Sequence, residues 1–144
     1  MNLQHMLFSF NGRLRRLHFW LFAISVWVLS AVIGGFTIFP AIMTAAASGD
    51  PDQVMAVYTG PAALIYWIFC LLLIWPGLAV TIKRLHDRNK SGWFYLLLLV
   101  PLVNLWILVE IYFLDGTPGP NQYGPSPKGI GGPAIDPPSG GVVS

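Results

Sequence analysis

The stretch Trp93–Leu114, WFYLLLLVPLVNLWILVEIYFL, carries a single charged side chain, Glu110, in its 22 residues. As one α-helix it would reach about 33 Å, enough to cross a hydrocarbon layer of about 30 Å. Phe19–Pro40 and Pro61–Ile82 are equally long cores of two further apolar runs. None alternates with period two, so helices are expected rather than barrel strands. The sequence therefore predicts an all-α integral membrane protein with three transmembrane helices, spanning about 19–40, 61–82 and 93–114 within a membrane domain of residues 1–114. Pro101 and Asn104 offer a rival in which the third run turns back as a re-entrant hairpin. A single span is the expectation, because membrane helices tolerate proline and 22 residues are short for two passes.

Of the 144 residues, 55% are hydrophobic and 10% charged, against roughly 25% charged in an ordinary soluble domain. Mean hydropathy is +0.64. So few charges cannot cover a water-facing surface, which excludes an ordinary soluble enzyme. Cys70 is the lone cysteine and lies in an apolar run, where a thiol behaves as a small hydrophobe. Ala45–Ala47 resembles a signal-peptide cleavage site, but the apolar stretch before it is far longer than a secretory h-region. An uncleaved first helix followed by a small-residue loop is expected.

The cations are placed unevenly. Arg13, Arg15 and Arg16 precede the first span, and Lys83, Arg84, Arg88 and Lys90 separate the second from the third. The loop between the first two spans holds Asp50 and Asp52 and no cation, and the tail holds only Lys128. The positive-inside rule puts the N-terminus and the basic loop in the cytoplasm. Three crossings would leave the C-terminal tail periplasmic; a re-entrant third run would return it to the cytoplasm. Half of the thirty residues from Asp115 to Ser144 are Gly or Pro. A turn-rich segment is expected over 115–128 and a disordered tail over 129–144.

Trp20 and Trp93 open the first and third spans, the positions of headgroup-depth anchors. Ser30 with Gly34 and Ala31 with Gly35 form small-xxx-small pairs that admit a neighbouring backbone, from this chain or a second copy. Pro76 removes a helix hydrogen bond and should kink the second span. Ser91 is placed to cap the third. If the second helix runs past the membrane surface, Arg84 shares a face with Asp87 and Arg88.

Two readings of the basic clusters compete. In one the cations only fix topology and meet anionic headgroups. In the other Arg13, Arg16, Arg84, His86, Asp87 and Arg88 form an interhelical site for a lipid phosphate or an acidic partner, suited by the planar fork of arginine. No HExxH, CxxC or GxSxG pattern supports a metal or a nucleophile, so no catalytic residue, metal or cofactor is expected. Glu110 is the ionisable residue well inside a span, and such carboxylates are functional candidates. A straight third span puts it about one turn from the outer end.

Three ordered motifs carry a resemblance. Phe10, Asn11, Gly12 and Arg13, with Arg16, Phe19 and Trp20, match an F-x-G-R-x-x-R-x-x-[FY]-W opening. Arg84, Leu85, His86 and Asp87, followed by Ser91, Gly92 and Trp93, match R-L-H-D-x-x-x-S-G-W. Gly116, Thr117, Pro118, Gly119, Asn121, Tyr123, Gly124, Pro125 and Pro127 match G-T-P-G-x-N-x-[YF]-G-P-x-P. The chain thus resembles the bacterial family called domain of unknown function 805 from Phe10 to Pro127. The resemblance implies a small inner-membrane protein and no activity. It singles out Arg13, Arg84, His86, Asp87 and the Asn121–Gly124 turn.

The expectation is a multi-pass, non-enzymatic protein of the bacterial inner membrane. It would bind anionic phospholipid or another membrane protein through its basic cytoplasmic site, with homo-oligomerisation open and no nucleic-acid partner. The alternative is an oligomeric transporter or channel component that gathers Glu110 carboxylates around a shared path.

Overall fold

The computed structural model describes residues 3–129. Of the disordered tail expected over 129–144, all but Gly129 lies outside them. Among the described residues there is no β-strand, only an isolated bridge between Asn121 and Gly124. The helices are α1 (Leu3–Phe8), α2 (Arg16–Ser48), α3 (Pro51–Thr59), α4 (Pro61–Asp87) and α5 (Val103–Tyr112), with a 3-10 segment over Gly92–Leu99.

Two helices, α2 and α4, are long and apolar enough to cross a membrane. Both run through an internal proline, Pro40 and Pro76. Their apolar side chains point outward: Trp27 is 81% exposed and Phe36 83%. An apolar surface of this extent is at home in lipid, not in water. The loop expected between them is ordered as α3. Pro51 opens that helix with a φ already helical, and the Asp50 carboxylate accepts the Asp52 N–H at 2.9 Å.

The third apolar run is not one helix. Ser91 caps a 3-10 segment that ends at Leu99, the chain turns at Pro101 and Leu102, and α5 begins at Val103. The single 93–114 span is thereby corrected. The proline removes a mid-run hydrogen-bond donor and disfavours helix in the residue before it. The 3-10 segment and α5 pack against one another.

The described residues divide into two compact units, one made of those up to Trp20 with those from Leu78 onward, the other of Leu21–Gly77. In the second unit a Cβ at Gly34 would stand 3.4 Å from the Tyr66 ring, so the neighbour that this small residue admits is α4 of the same chain, whereas Gly35 faces open space. A cavity of about 330 Å³ lies there, lined by Gly34, Ile38, Phe39, Val57, Tyr58 and Tyr66 among others.

In the first unit the buried stripe of α4 is Ala79, Val80, Lys83, Arg84 and Asp87, an i, i+3, i+4 pattern that stays inside while its residues turn from apolar to charged. Lys83 is fully buried and forms no ion pair among the described residues. Its Nζ donates instead to the carbonyls of His5 at 2.5 Å and Met6 at 2.7 Å, closing the C-terminal end of α1. Burial lowers its pKa. Lys83→Met removes two charge-assisted bonds of about 1.5–3 kcal/mol each. Hydrogen exchange at the amides of Gln4–Phe8 should then speed up by about tenfold or more; exchange as slow as in the parent chain would show that α1 is held by something else.

Candidate functional site

The first unit is organised around Asp87, the last residue of α4. Each carboxylate oxygen takes one arginine. Arg13 reaches Oδ1 through Nε and Nη2, both at 3.0 Å. Arg84, one turn back on α4, reaches Oδ2 through Nη1 at 2.5 Å. All three side chains are sealed from solvent, at 2%, 0% and 4% exposure. Two guanidinium groups against one carboxylate leave a buried positive charge, and backbone carbonyls complete its neutralisation. Arg13 donates to Thr117 O and Gly119 O, each at 2.6 Å. Arg84 donates to Ile111 O at 2.8 Å and to Leu114 O.

The acceptors form a series. Carbonyls 111 to 115 stand at and just beyond the C-terminus of α5, where a helix leaves acceptors unpaired and a negative dipole end. Arg84 takes Ile111 O and Leu114 O, the Trp20 indole takes Tyr112 O at 2.9 Å, Arg16 takes Phe113 O at 2.7 Å, and Arg88 takes Asp115 O at 2.5 Å. Trp20 also packs edge-on to Tyr112. Its N–H is thus committed to a main-chain carbonyl. Trp93 is 79% exposed.

The third motif wraps the end of α4. Thr117 N–H donates to Asp87 O at 2.8 Å, and Asn121 Nδ2 donates to His86 O at 2.9 Å. Asn121 Oδ1 accepts the Tyr123 N–H, and paired backbone bonds between Asn121 and Gly124 close the turn with Gly124 at φ +124°. The Tyr123 ring then stacks on the His86 imidazole, 3.8 Å between centroids and 4° from parallel. Gly116 passes so close to Asp87 that a Cβ there would overlap the carboxylate. Asn89 ends α4 in the left-handed region at φ 58°, with Lys90 N–H bonded to Leu85 O and Asn89 N–H to His86 O, the pattern of a Schellman cap.

Glu110 also belongs to this basic end. Its side chain is 3% exposed, with Oε1 at 3.3 Å from Arg88 and Oε2 at 3.2 Å from Lys90. The expectation of an outer-end position rested on a straight span; the turn at Pro101 brings the carboxylate back to the basic loop. Outside the knot, Asp115 bridges Arg16 and Lys128, and the bond to Lys128 lowers its pKa first of all.

Of the six expected site residues, Arg13, Arg84 and Asp87 bind one another directly, whereas Arg16 binds Phe113 O and Asp115, Arg88 binds Glu110 and Asp115 O, and His86 stacks on Tyr123. The sequence reading passed over Lys83 as a packing residue, although its i, i+4 spacing to Ala79 and Asp87 marked it. It also gave no role to the carbonyls of 111–119, which no side-chain pattern can report.

Asp87→Asn strips both buried arginines of their counter-charge and should cost about 3–5 kcal/mol, seen as a fall in unfolding temperature in nanodiscs. Gly116→Ala should destabilise in the same assay, since the Asp87 carboxylate has two arginines holding it in place. Burial lowers the His86 pKa, with a backbone bond at Gly12 opposing, so the stacked form prefers neutral imidazole. Its contribution is present above the ordinary value of about 6.5 and is lost as pH falls through the lowered folded value. Amide exchange over Thr117–Tyr123 should accelerate between pH 7.5 and 5.5 beyond its intrinsic pH dependence, and His86→Gln should abolish that excess.

The family model described as "Protein of unknown function (DUF805)" matches residues 7–125, and the chain belongs to that family. It is 30% identical over 121 residues to Inner membrane protein YhaH of Escherichia coli (strain K12), covering 83% of this chain and 88% of that protein. Inner membrane protein YhaI of the same strain is 29% identical over 120 residues, with 83% and 86% covered. Uncharacterized protein YiiR is 30% identical over 150 residues, with 86% and 89% covered. No solved structure matches the chain.

Proposed function

We propose that this member of the family is a non-enzymatic protein of the bacterial inner membrane that crosses the bilayer twice, through α2 and α4. Its N-terminal segment, basic loop and 115–128 segment then all lie on the cytoplasmic side. The bonds from Arg84 to Leu114 O and from Thr117 to Asp87 O support this, because they tie the segment after the third run to the basic loop before it. All eight Lys and Arg then fall on one side and only Asp50 and Asp52 on the other, a cleaner fit to the positive-inside rule than an odd number of crossings. In this reading the C-terminal tail starts on the cytoplasmic side rather than the periplasmic one.

The same end meets anionic lipid headgroups, but through other cations than the buried pair. One observation carries this reading: Arg13 and Arg84 are sealed inside and turn their donors to Asp87 and to main-chain carbonyls, so a lipid phosphate would have to dismantle the fold to reach them. Arg15 makes no ion pair or side-chain hydrogen bond among the described residues, and the Arg16 side chain is 45% exposed. Each such cation near an anionic surface is worth about 1 kcal/mol. The transporter reading loses its carrier, because Glu110 is held between Arg88 and Lys90.

Native mass spectrometry of protein released from membranes containing phosphatidylglycerol tests the assignment. The double variant Arg15→Gln, Arg16→Gln should retain several-fold less of that lipid with only a modest fall in unfolding temperature, from the loss of the Arg16 bond to Phe113 O. Arg84→Gln should do the reverse. Undiminished lipid in the double variant would remove the headgroup role from these cations.

A further inference from the structure

We infer that the hairpin from Gly92 to Tyr112 is a half-depth membrane wedge: it enters from the cytoplasmic side, turns at Pro101–Leu102 among the acyl chains near mid-bilayer, and leaves on the side it came from. The inference rests on the cytoplasmic assignment above and goes beyond it in naming the acyl chains of the cytoplasmic leaflet as what the hairpin tip binds.

Length comes first. Eight 3-10 residues at about 2.0 Å each reach about 16 Å, and ten α-helical residues at 1.5 Å reach about 15 Å. Both arms match half of a hydrocarbon layer of about 30 Å. Their outer ends are both polar: Ser91 caps the first arm, and three arginines with the Trp20 indole cap carbonyls 111 to 115 at the end of the second. A straight helix over the same residues would put Leu114 about 33 Å from Trp93, out of reach of Arg84, which binds its carbonyl. The direction of α5 follows, with its C-terminus in the basic knot and its N-terminus at the tip.

The tip is built for a place without water. Leu96–Val103 reads LLLLVPLV with no polar side chain, whereas turns that face water collect Gly, Asn, Asp and Ser. Leu99 is 79% exposed and Leu102 81%. In the hydrocarbon every backbone donor needs an internal partner. Val100 N–H goes to Leu97 O at 3.1 Å, Val103 N–H to Pro101 O at 2.9 Å and Asn104 N–H to Val100 O at 2.9 Å, and Pro101 has no donor to satisfy, which leaves Leu102 N–H as the one donor from Val100 to Asn104 without a backbone partner among the described residues. Leu102 accepts φ 69°, ψ −44° for this, a γ-turn closed by the bond from Val103 to Pro101. Such a turn is strained, and its use at an exposed leucine is explained where an open N–H would cost more than the strain.

Full-length protein in a Cys70→Ala background, with single cysteines Leu102→Cys, Leu99→Cys and Gln122→Cys, tests the wedge. An environment-sensitive fluorophore on Leu102→Cys in vesicles should be quenched about threefold or more strongly by nitroxides near the acyl-chain ends than by a headgroup nitroxide, and Leu99→Cys should behave alike. Gln122→Cys should react with a membrane-impermeant maleimide from the cytoplasmic side only. If Gln122→Cys reacts from outside, the cytoplasmic assignment fails and the wedge with it. If Gln122→Cys reacts from the cytoplasmic side while both tip cysteines react with the impermeant reagent or show headgroup-depth quenching, the wedge alone is overturned.

Discussion

A buried carboxylate between two buried arginines sets the terms for everything around it. Asp87 sits at the end of α4, and Arg13 and Arg84 reach its two oxygens with no solvent to share the load. Desolvating three charges is tolerable only when each donor and acceptor is satisfied. Asp87 supplies one negative charge against two positive ones, so partial charges must supply the rest. The fold provides them as carbonyl oxygens, from Ile111 and Leu114 at the end of α5 and from Thr117 and Gly119 beyond it. The unpaired acceptors of a helix terminus and the surplus cations of the knot thus satisfy one another. Lys83 repeats the device at the end of α1. A cluster that looks like a phosphate site by composition is, by geometry, a set of helix caps.

This explains which parts of the molecule were legible in the sequence. The apolar runs and the uneven cations announced a membrane protein with a basic end, because hydropathy and charge asymmetry are properties of composition along the chain. The Arg84–Asp87 pair was legible too, since i, i+3 spacing fixes a shared helix face. The partners of the arginines were not. Most are backbone carbonyls, which every residue carries, so no residue type marks Ile111 or Leu114 as a ligand. The Gly116-to-Gly124 motif was visible as a pattern without a mechanism. Its reasons are contacts: Gly116 because Asp87 occupies the space of a side chain, Asn121 because it spans from His86 O to the Tyr123 N–H, and Tyr123 because it covers the His86 ring.

Glu110 shows how far the path of the chain sets the surroundings of a residue. On a straight helix it stands far from the basic loop and looks like an isolated carboxylate in lipid, the usual mark of ion handling. Turned back at Pro101, it meets Arg88 and Lys90 and becomes one more neutralising group at the basic end. Residue type and hydropathy are the same in both cases, and only the path of the chain changes the chemistry.

The path itself is not decided by proline alone. Pro40 and Pro76 also lie within long apolar runs, and α2 and α4 continue through them. A proline inside a helix costs about 3 kcal/mol or more, a sum that a membrane helix can absorb when the alternative is an open backbone in lipid. What distinguishes the third run is its ends. It begins six residues after Asp87, and the segment that follows it is bonded to Asp87, Arg84 and Arg13. With both ends held at one polar centre, a straight helix would break the knot and leave two buried arginines without their carbonyls, at a cost of several bonds to charged groups, each about 1.5–3 kcal/mol. A turn at Pro101 keeps those bonds for the strain of one γ-turn. The proline marks where the chain bends, and the arginines supply the reason that it bends at all.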